Sequence, residues 1–230
     1  DRYNSVMRMR RKSHLDERVA ACGKYLLKTE REDFYAKSPE DRYDVIDLTG
    51  IFGNNAPVML EIGCGKGGFA FKHAEMYPDV NLIAVEKISN VIIEACEKAD
   101  TEKLANLRFM NVGAENLLYY LKPETISRIY LNFSCPYPKY TYRNRRLTYY
   151  RYLEIYKKLL TSDGEIRLKT DNREFFEFSL QSLSENGFAL KNISLDLHSG
   201  DLSENIETEY EKMFVSQGKR IYKLEAYIKR

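Results

Sequence analysis

The first chemical signal is a carboxylate set just ahead of a run of glycines. Glu61 opens the string E-I-G-C-G-K-G-G, with Gly63, Gly65, Gly67 and Gly68 behind it. Glycines let a chain turn tightly after a strand and let a ligand approach the backbone. The spacing of Gly63, Gly65 and Gly68 also fits the dinucleotide pattern G-x-G-x-x-G, so an NAD-dependent oxidoreductase is one reading. The acid two residues ahead argues for a different ligand. It would repel a pyrophosphate on the loop and attract an ammonium or a sulfonium, and S-adenosyl-L-methionine carries both. Glu86 closes the next apolar run, where a carboxylate can accept hydrogen bonds from two ribose hydroxyls; the plain alternative is a surface charge. The three histidines, His14, His73 and His198, form no recognisable hydride-transfer dyad. His198, beside a Ser-Gly loop, is expected to face solvent.

A second string, Y-L-N-F-S-C-P-Y-P-K at residues 130–139, begins as a strand and ends as a loop. Pro136 and Pro138 cannot donate to a sheet ladder, so the chain leaves in an extended form. Such a loop at the carboxyl end of a strand is where open α/β sheets place ligands, although an exit turn needs no more than this. Its surroundings favour function. Lys139, Arg143, Arg145, Arg146, Arg151, Lys157 and Lys158 follow within twenty residues that hold one acid, Glu154, and six tyrosines interleave with them. Cations mixed with aromatics suit phosphate contact and base stacking. A second basic group, Arg2, Arg8, Arg10, Arg11 and Lys12, tilts the reading towards nucleic acid. The bland alternative is a solvated basic helix face.

These residues need elements to position them. Apolar runs at 58–62, 81–85, 107–112, 128–133 and 165–169 read as strands. Helical periodicity falls between them at 69–76, 89–99, 114–121, 147–160 and 175–183, and two further strands are expected at 188–197 and 220–228. Ser89 is a candidate cap for the second of these helices. Strands separated by helices mean βαβ units, hence a mostly parallel sheet with helices on both faces. Ahead of it, residues 1–57 read as a basic extension with lead-in helices, one at 15–27 and one starting near Ser38, then a loop over 50–57; residues 58–230 form the main domain.

A chain of 230 residues with 43% hydrophobic side chains supports one domain with a full core. No run of about 18 apolar residues is present, so no membrane partner is expected. No signal peptide is visible, and Met7 is a candidate natural start. Four cysteines without C-x-x-C pairing argue against zinc and against a disulfide framework, and fit a reducing cytosol. The net charge of +2 decides nothing by itself. A monomer and a homodimer are both compatible with the sequence.

Six strings in order, E-I-G-C-G-K-G-G (61–68), Y-L-N-F-S-C-P-Y-P-K (130–139), R-R-L-T-Y (145–149), K-T-D-N-R (169–173), S-L-D-L-H (194–198) and T-E-Y-E (208–211), make the chain resemble the bacterial tRNA (guanine-N7-)-methyltransferases from about Arg8 onward. The resemblance implies a Rossmann-like class I methyltransferase fold with a seven-stranded sheet and S-adenosyl-L-methionine as donor, with no metal. It implies N7 of a guanosine in the tRNA variable loop, position 46 by tRNA convention, as acceptor. Glu61 and Glu86, with Gly63 and Gly65 between them, would contact the cofactor. Lys139 would contact the substrate, and Asp171, Thr208, Glu209, Tyr210 and Glu211 would bind the guanosine. The chemistry agrees: a carboxylate accepts the adjacent N1–H and N2–H₂ of guanine together, and adenine lacks that pair. N7 has a free lone pair, so no general base is needed and alignment does most of the work. The base must leave the tRNA's tertiary structure to reach the donor.

Three positions depart from the family. Its loop reads N-F-S-D-P-W-P-K, whereas Cys135 stands for the Asp here and Tyr137 for the Trp; Gly113 stands where the third strand usually ends in Asp. Acceptors for the adenine amino group and the methionine ammonium are therefore missing from their usual places. Three readings follow: working catalysis by positioning, a tRNA-binding protein with weak or lost transfer, or Cys135 as a nucleophile.

Overall fold

The strands that end in Glu61, Glu86 and the proline loop lie side by side. The computed structural model describes residues 12–29 and 45–229. Among these, eight strands form one sheet in the order β1-β4-β3-β2-β5-β6-β8-β7. They are β1 (Leu26–Leu27), β2 (Val58–Ile62), β3 (Asn81–Val85), β4 (Leu107–Met110), β5 (Ile126–Asn132), β6 (Leu160–Thr170), β7 (Phe188–Ser194) and β8 (Tyr222–Ile228). Strands β1 to β6 run parallel, and β8 inserts antiparallel between β6 and β7. The chain moves outward from β2 to β3 and β4, then returns to β5 on the other side of β2. That reversal opens a crevice at the carboxyl ends of β2 and β5, the place where such sheets bind ligands.

Side-chain alternation builds a layer on each face. Leu82 and Ala84 pack with helices α1 (Leu15–Ala21), α3 (Gly68–Met76) and α4 (Ser89–Glu102). Ile83 and Val85, one residue out of phase, join the opposite layer with α2 (Leu48–Phe52), α5 (Tyr150–Leu159) and α6 (Arg173–Glu185). Gly67 is required at the start of α3. Its φ is +81°, and a Cβ there would lie 3.0 Å from Phe71 and 3.2 Å from Ala95. No helix among the described residues is long and apolar enough to cross a membrane.

The structure corrects several sequence expectations. The sheet has an eighth strand beyond the seven expected. The helix expected over 15–27 stops at Ala21 because the chain turns at Cys22 and Gly23, buries Tyr25 and pairs Leu26 with Phe109. The loop expected over 50–57 is partly helix: α2 buries Phe52 and ends at Gly53, whose φ is +69°. Ser89 does not cap α4; its hydroxyl donates to Asn111 Oδ1 at 2.7 Å. The helix expected over 147–160 begins only at Tyr150, and a short 3-10 turn, Tyr140–Arg145, precedes it. An unforeseen helix, α7 (Glu209–Ser216), follows Thr208, whose hydroxyl accepts from Glu211 N at 3.0 Å. The T-x-x-E spacing of Thr208 and Glu211 is a helix-start signature that would have located it. The helix start expected near Ser38 lies outside the described residues.

Candidate active site

Glu61 ends β2 almost wholly out of solvent, 3% exposed. One of its oxygens accepts from Asn132 Nδ2, at the tip of β5, at 3.3 Å; the other, Oε2, is buried with no partner. Burial pushes its carboxyl up to about 7, opposed by the Asn132 bond and the Lys169 charge and reinforced by Glu86. An orphaned acceptor here calls for a cation, because a buried carboxylate without one is costly.

The glycine turn is fastened to the neighbouring strand. Gly63 N and Cys64 N donate to Val85 O at 2.8 and 3.0 Å. The Glu86 carboxylate accepts from Gly65 N at 3.3 Å and from Ile88 N at 3.0 Å. Asn111, just past β4, donates to Glu86 O at 2.8 Å. Gly63 and Gly65 have φ of +82° and +57°, and a Cβ on either would meet nothing within 4 Å. The backbone there is bare towards open space, flanked by Glu61 and Glu86. Gly113 stands one strand further along, at the head of a 3-10 turn over Ala114–Tyr119.

The proline loop is built under tension and held from behind. Phe133 and Tyr137 both have positive φ, +51° and +43°, a conformation that costs an aromatic residue about 1–3 kcal/mol. Phe133 is tied by its N–H to Lys169 O at 2.8 Å. The far side is gripped by Arg146, whose guanidinium donates to Pro136 O at 2.9 Å and Tyr137 O at 3.2 Å and lies over the Phe178 ring. Arg146 is buried, and it opens a turn over residues 146–149, closed by Tyr149 N donating to Arg146 O at 2.9 Å, that keeps them out of α5. Sequence reasoning counted Arg146 among the surface cations; only its place two residues ahead of the buried Thr148 hinted otherwise. Cys135 is exposed on the loop as a free thiol, and Lys139 is exposed beyond it.

Past the loop lies the basic and aromatic surface. Arg143 stacks on Tyr140 at 4.0 Å and Arg145 on Tyr142 at 4.7 Å. A cavity of about 590 Å³ opens between Tyr140, Arg143, Tyr149, Tyr150 and Phe178.

The T-E-Y-E segment divides in two. Thr208 caps α7, and Glu211 is wholly buried: Lys169 Nζ donates to it at 2.6 Å, Asn205 Nδ2 at 2.7 Å, and His198 Nε2 lies 2.9 Å from it. Burial works against its charge, yet these partners hold the carboxyl below its ordinary value. His198 therefore turns inward, where a solvent-facing ring was expected. Glu209 and Tyr210 remain exposed. They face the glycine turn: Lys66 is held above its ordinary value first by its bond to Glu94, with smaller contributions from Glu209 and Tyr210. Nearby, Lys72 Nζ donates to Glu207 O at 2.6 Å. Asp171, after β6, is paired to Lys219 at 2.7 Å, and Lys219 lies over Phe214 of α7, which packs on Phe133 with ring centres 5.7 Å apart.

Comparison with known proteins bears on the family and the fold. The family described as "Putative methyltransferase" matches residues 55–224. A tRNA (guanine-N(7)-)-methyltransferase of Geobacillus thermodenitrificans is 42% identical over 220 residues, 96% of this chain and 97% of the relative. One of the same name from Clostridioides difficile is 42% identical over 224 residues, 96% and 98% of the two chains. Among solved structures, an antibiotic-related methyltransferase superposes with a TM-score of 0.61 at 19% identity, over 79% of this chain and 92% of the other. The 16S rRNA methyltransferase KamB does so at 0.61 and 15%, over 81% and 95%. At those identities the likeness speaks to the fold.

Proposed function

The chain belongs to the tRNA (guanine-N7-)-methyltransferase family, and we propose that it methylates N7 of a guanosine in tRNA, at position 46 of the variable loop, with S-adenosyl-L-methionine as donor. The observation that carries the reading is the buried, half-unpartnered Glu61 beside a bare glycine turn. When bound, the cofactor supplies an electrophilic methyl on a sulfonium. Glu61 would take the methionine ammonium through its orphaned Oε2. Glu86 keeps lone pairs beyond those used by Gly65 and Ile88, and these suit the ribose hydroxyls.

The chain's other work is to place the guanine. Glu209 is the acid open to the guanine N1–H and N2–H₂ edge; Asp171, whose side chain is largely covered, would reach that edge by exchanging Lys219 for the base. Tyr210 offers a stacking face beside them. Thr208 and Glu211 serve the same end indirectly, by holding the start of α7 in place. Lys139 and the Arg143–Arg151 surface would hold the phosphates. Cys135 needs no covalent role, because N7 attacks with its own lone pair. One chain supplies every residue named, so a monomer suffices and a homodimer is not required. The substrate places the reaction with cytoplasmic tRNA. The binding-only alternative is not favoured by relatives that share the methyltransferase name.

The test is incubation of the full chain with unmodified tRNA and methyl-labelled S-adenosyl-L-methionine, followed by nucleoside analysis. N7-methylguanosine at one site is the expected product. Label at another nucleoside, or none above background, would end the reading.

A further inference from the structure

The chain carries a carboxylate at the end of β4 after all, and it comes from Glu115. Gly113 has φ −75° and ψ 150°, extended backbone that any residue adopts, so its lack of a side chain is not explained by torsion. The space beside it is taken by a neighbour's side chain. A Cβ built on Gly113 would lie 2.6 Å from Glu115 Cδ and Oε2 and 2.7 Å from Oε1. The Glu115 side chain folds back so that its carboxylate fills the volume that a side chain at 113 would take. Among the described residues, no hydrogen bond or ion pair ties that carboxylate down, and Glu115 is exposed. It lies beside the strand end and is open to a ligand.

The segment it occupies borders the ribose site. Glu86 N donates to Met110 O at 3.0 Å, and Asn111 Nδ2 returns a bond to Glu86 O at 2.8 Å. Adjacent strands lie about 4.8 Å apart. A nucleoside whose ribose is held by Glu86 therefore lays its base across residues 111–115. Adenine presents a 6-amino group with two donors and no charge. A carboxylate accepts from it, and the same carboxylate repels a purine with a keto oxygen at that position.

We propose that Glu115, through the space left by Gly113, is the adenine-recognising carboxylate of this chain and sets the cofactor's base specificity. The two positions act as a pair: the glycine at 113 admits the longer acid from 115. This rests on S-adenosyl-L-methionine being the donor. The alternative is that Glu115 is only a favourable negative charge in the first turn of the 3-10 segment, in which case its removal alters stability and not ligand choice.

The experiment is calorimetric binding of S-adenosylhomocysteine and of its deaminated analogue S-inosylhomocysteine to the full chain. Wild type should prefer the adenosyl compound by at least about tenfold. Glu115→Gln should weaken the adenosyl compound by about ten- to a hundredfold, the range of a charge-assisted hydrogen bond, and bind the inosyl compound no worse, so that discrimination collapses. Gly113→Asp combined with Glu115→Ala should restore both affinity and preference by moving the acid back two residues. Unchanged affinity and preference in a Glu115→Gln protein that melts like wild type would overturn the assignment and leave the proposed function standing. Failure of wild type to bind either compound would overturn both.

Discussion

On the proposed function, Glu61 would act as a sensor of its own ligand. With its carboxyl raised to about 7 by burial, much of it holds a proton near neutrality until a cation arrives. Binding of the donor's ammonium should expel that proton. Calorimetry in two buffers of different ionisation enthalpy is expected to show proton release near pH 7, and affinity should climb between pH 6 and 8. A binding curve flat across that range would contradict the assignment. Cys135 gives the second prediction at this scale. If positioning suffices, Cys135→Ser should keep the turnover of wild type, whereas a thiolate nucleophile would lose nearly all of it. Cys135→Asp should raise turnover in the same tRNA assay if an acid at the loop still helps the reaction. The candidate acids Glu61 and Glu86 were the part of the site most legible in the sequence, because they are marked by strand ends and glycines. Arg146, Glu115 and His198 were not legible. Their roles depend on which backbone they fold against, and neighbours in space leave no periodic trace.

At the scale of elements, the proline loop depends on one buried side chain. Arg146 reaches two carbonyls at once, and lysine cannot reproduce that fork. Arg146→Lys is expected to lower turnover about a hundredfold through loosened alignment, with cofactor affinity nearly unchanged, as steady-state kinetics and calorimetry would show. Equal turnover in the two proteins would refute the grip. Helix α7 has its own anchor. Lys169 donates to Asn205 Oδ1, Ile206 O and Glu211 Oε2 at 2.9, 2.9 and 2.6 Å. Lys169→Met would strand a buried carboxylate and should cost about 3–5 kcal/mol, read as a lower urea midpoint at constant slope. The strands were readable from apolar runs: β2 and β3 have the expected bounds, and the others differ by up to five residues at an end. Element α7 was missed because it is only eight residues long and its start signal, Thr208 with Glu211, was read as part of a guanosine-binding string. The late start of α5 was missed because helical periodicity continues through residues 147–149, which fold as a turn behind Arg146.

For the whole molecule, two buried groups titrate with opposite sign. Glu61 is raised from 4.5 to about 7, so the folded chain holds its proton more tightly than the unfolded chain, and stability falls as pH rises through that window. His73 is fully buried beside Tyr130, and burial, then Arg128 and Arg167, lower it from 6.5 to about 4. Its contribution is present above 6.5 and is lost as pH falls towards 4. Each amounts to ~3 kcal/mol at most. The windows overlap, so wild type should melt at nearly constant temperature between pH 4.5 and 6.5. Glu61→Gln should melt several degrees higher than wild type at pH 8 and lose that advantage below pH 4.5. A pH series of melting curves decides this; a Glu61→Gln protein that is less stable at pH 8 would refute it.

The order β6-β8-β7 also constrains how the protein can be made. Strand β7 touches the sheet only through β8, yet β8 is synthesised after it. While residues 188–221 leave the ribosome at about 5–20 residues per second, β7 has no partner and β6 shows a bare edge open to foreign strands. The C-terminal third, including the anchor of α7, therefore becomes native in one late event rather than strand by strand. A chain released just short of Tyr222 would lose two strands, not one, and would leave the ribosome with β1 to β6 formed and β7 unpaired.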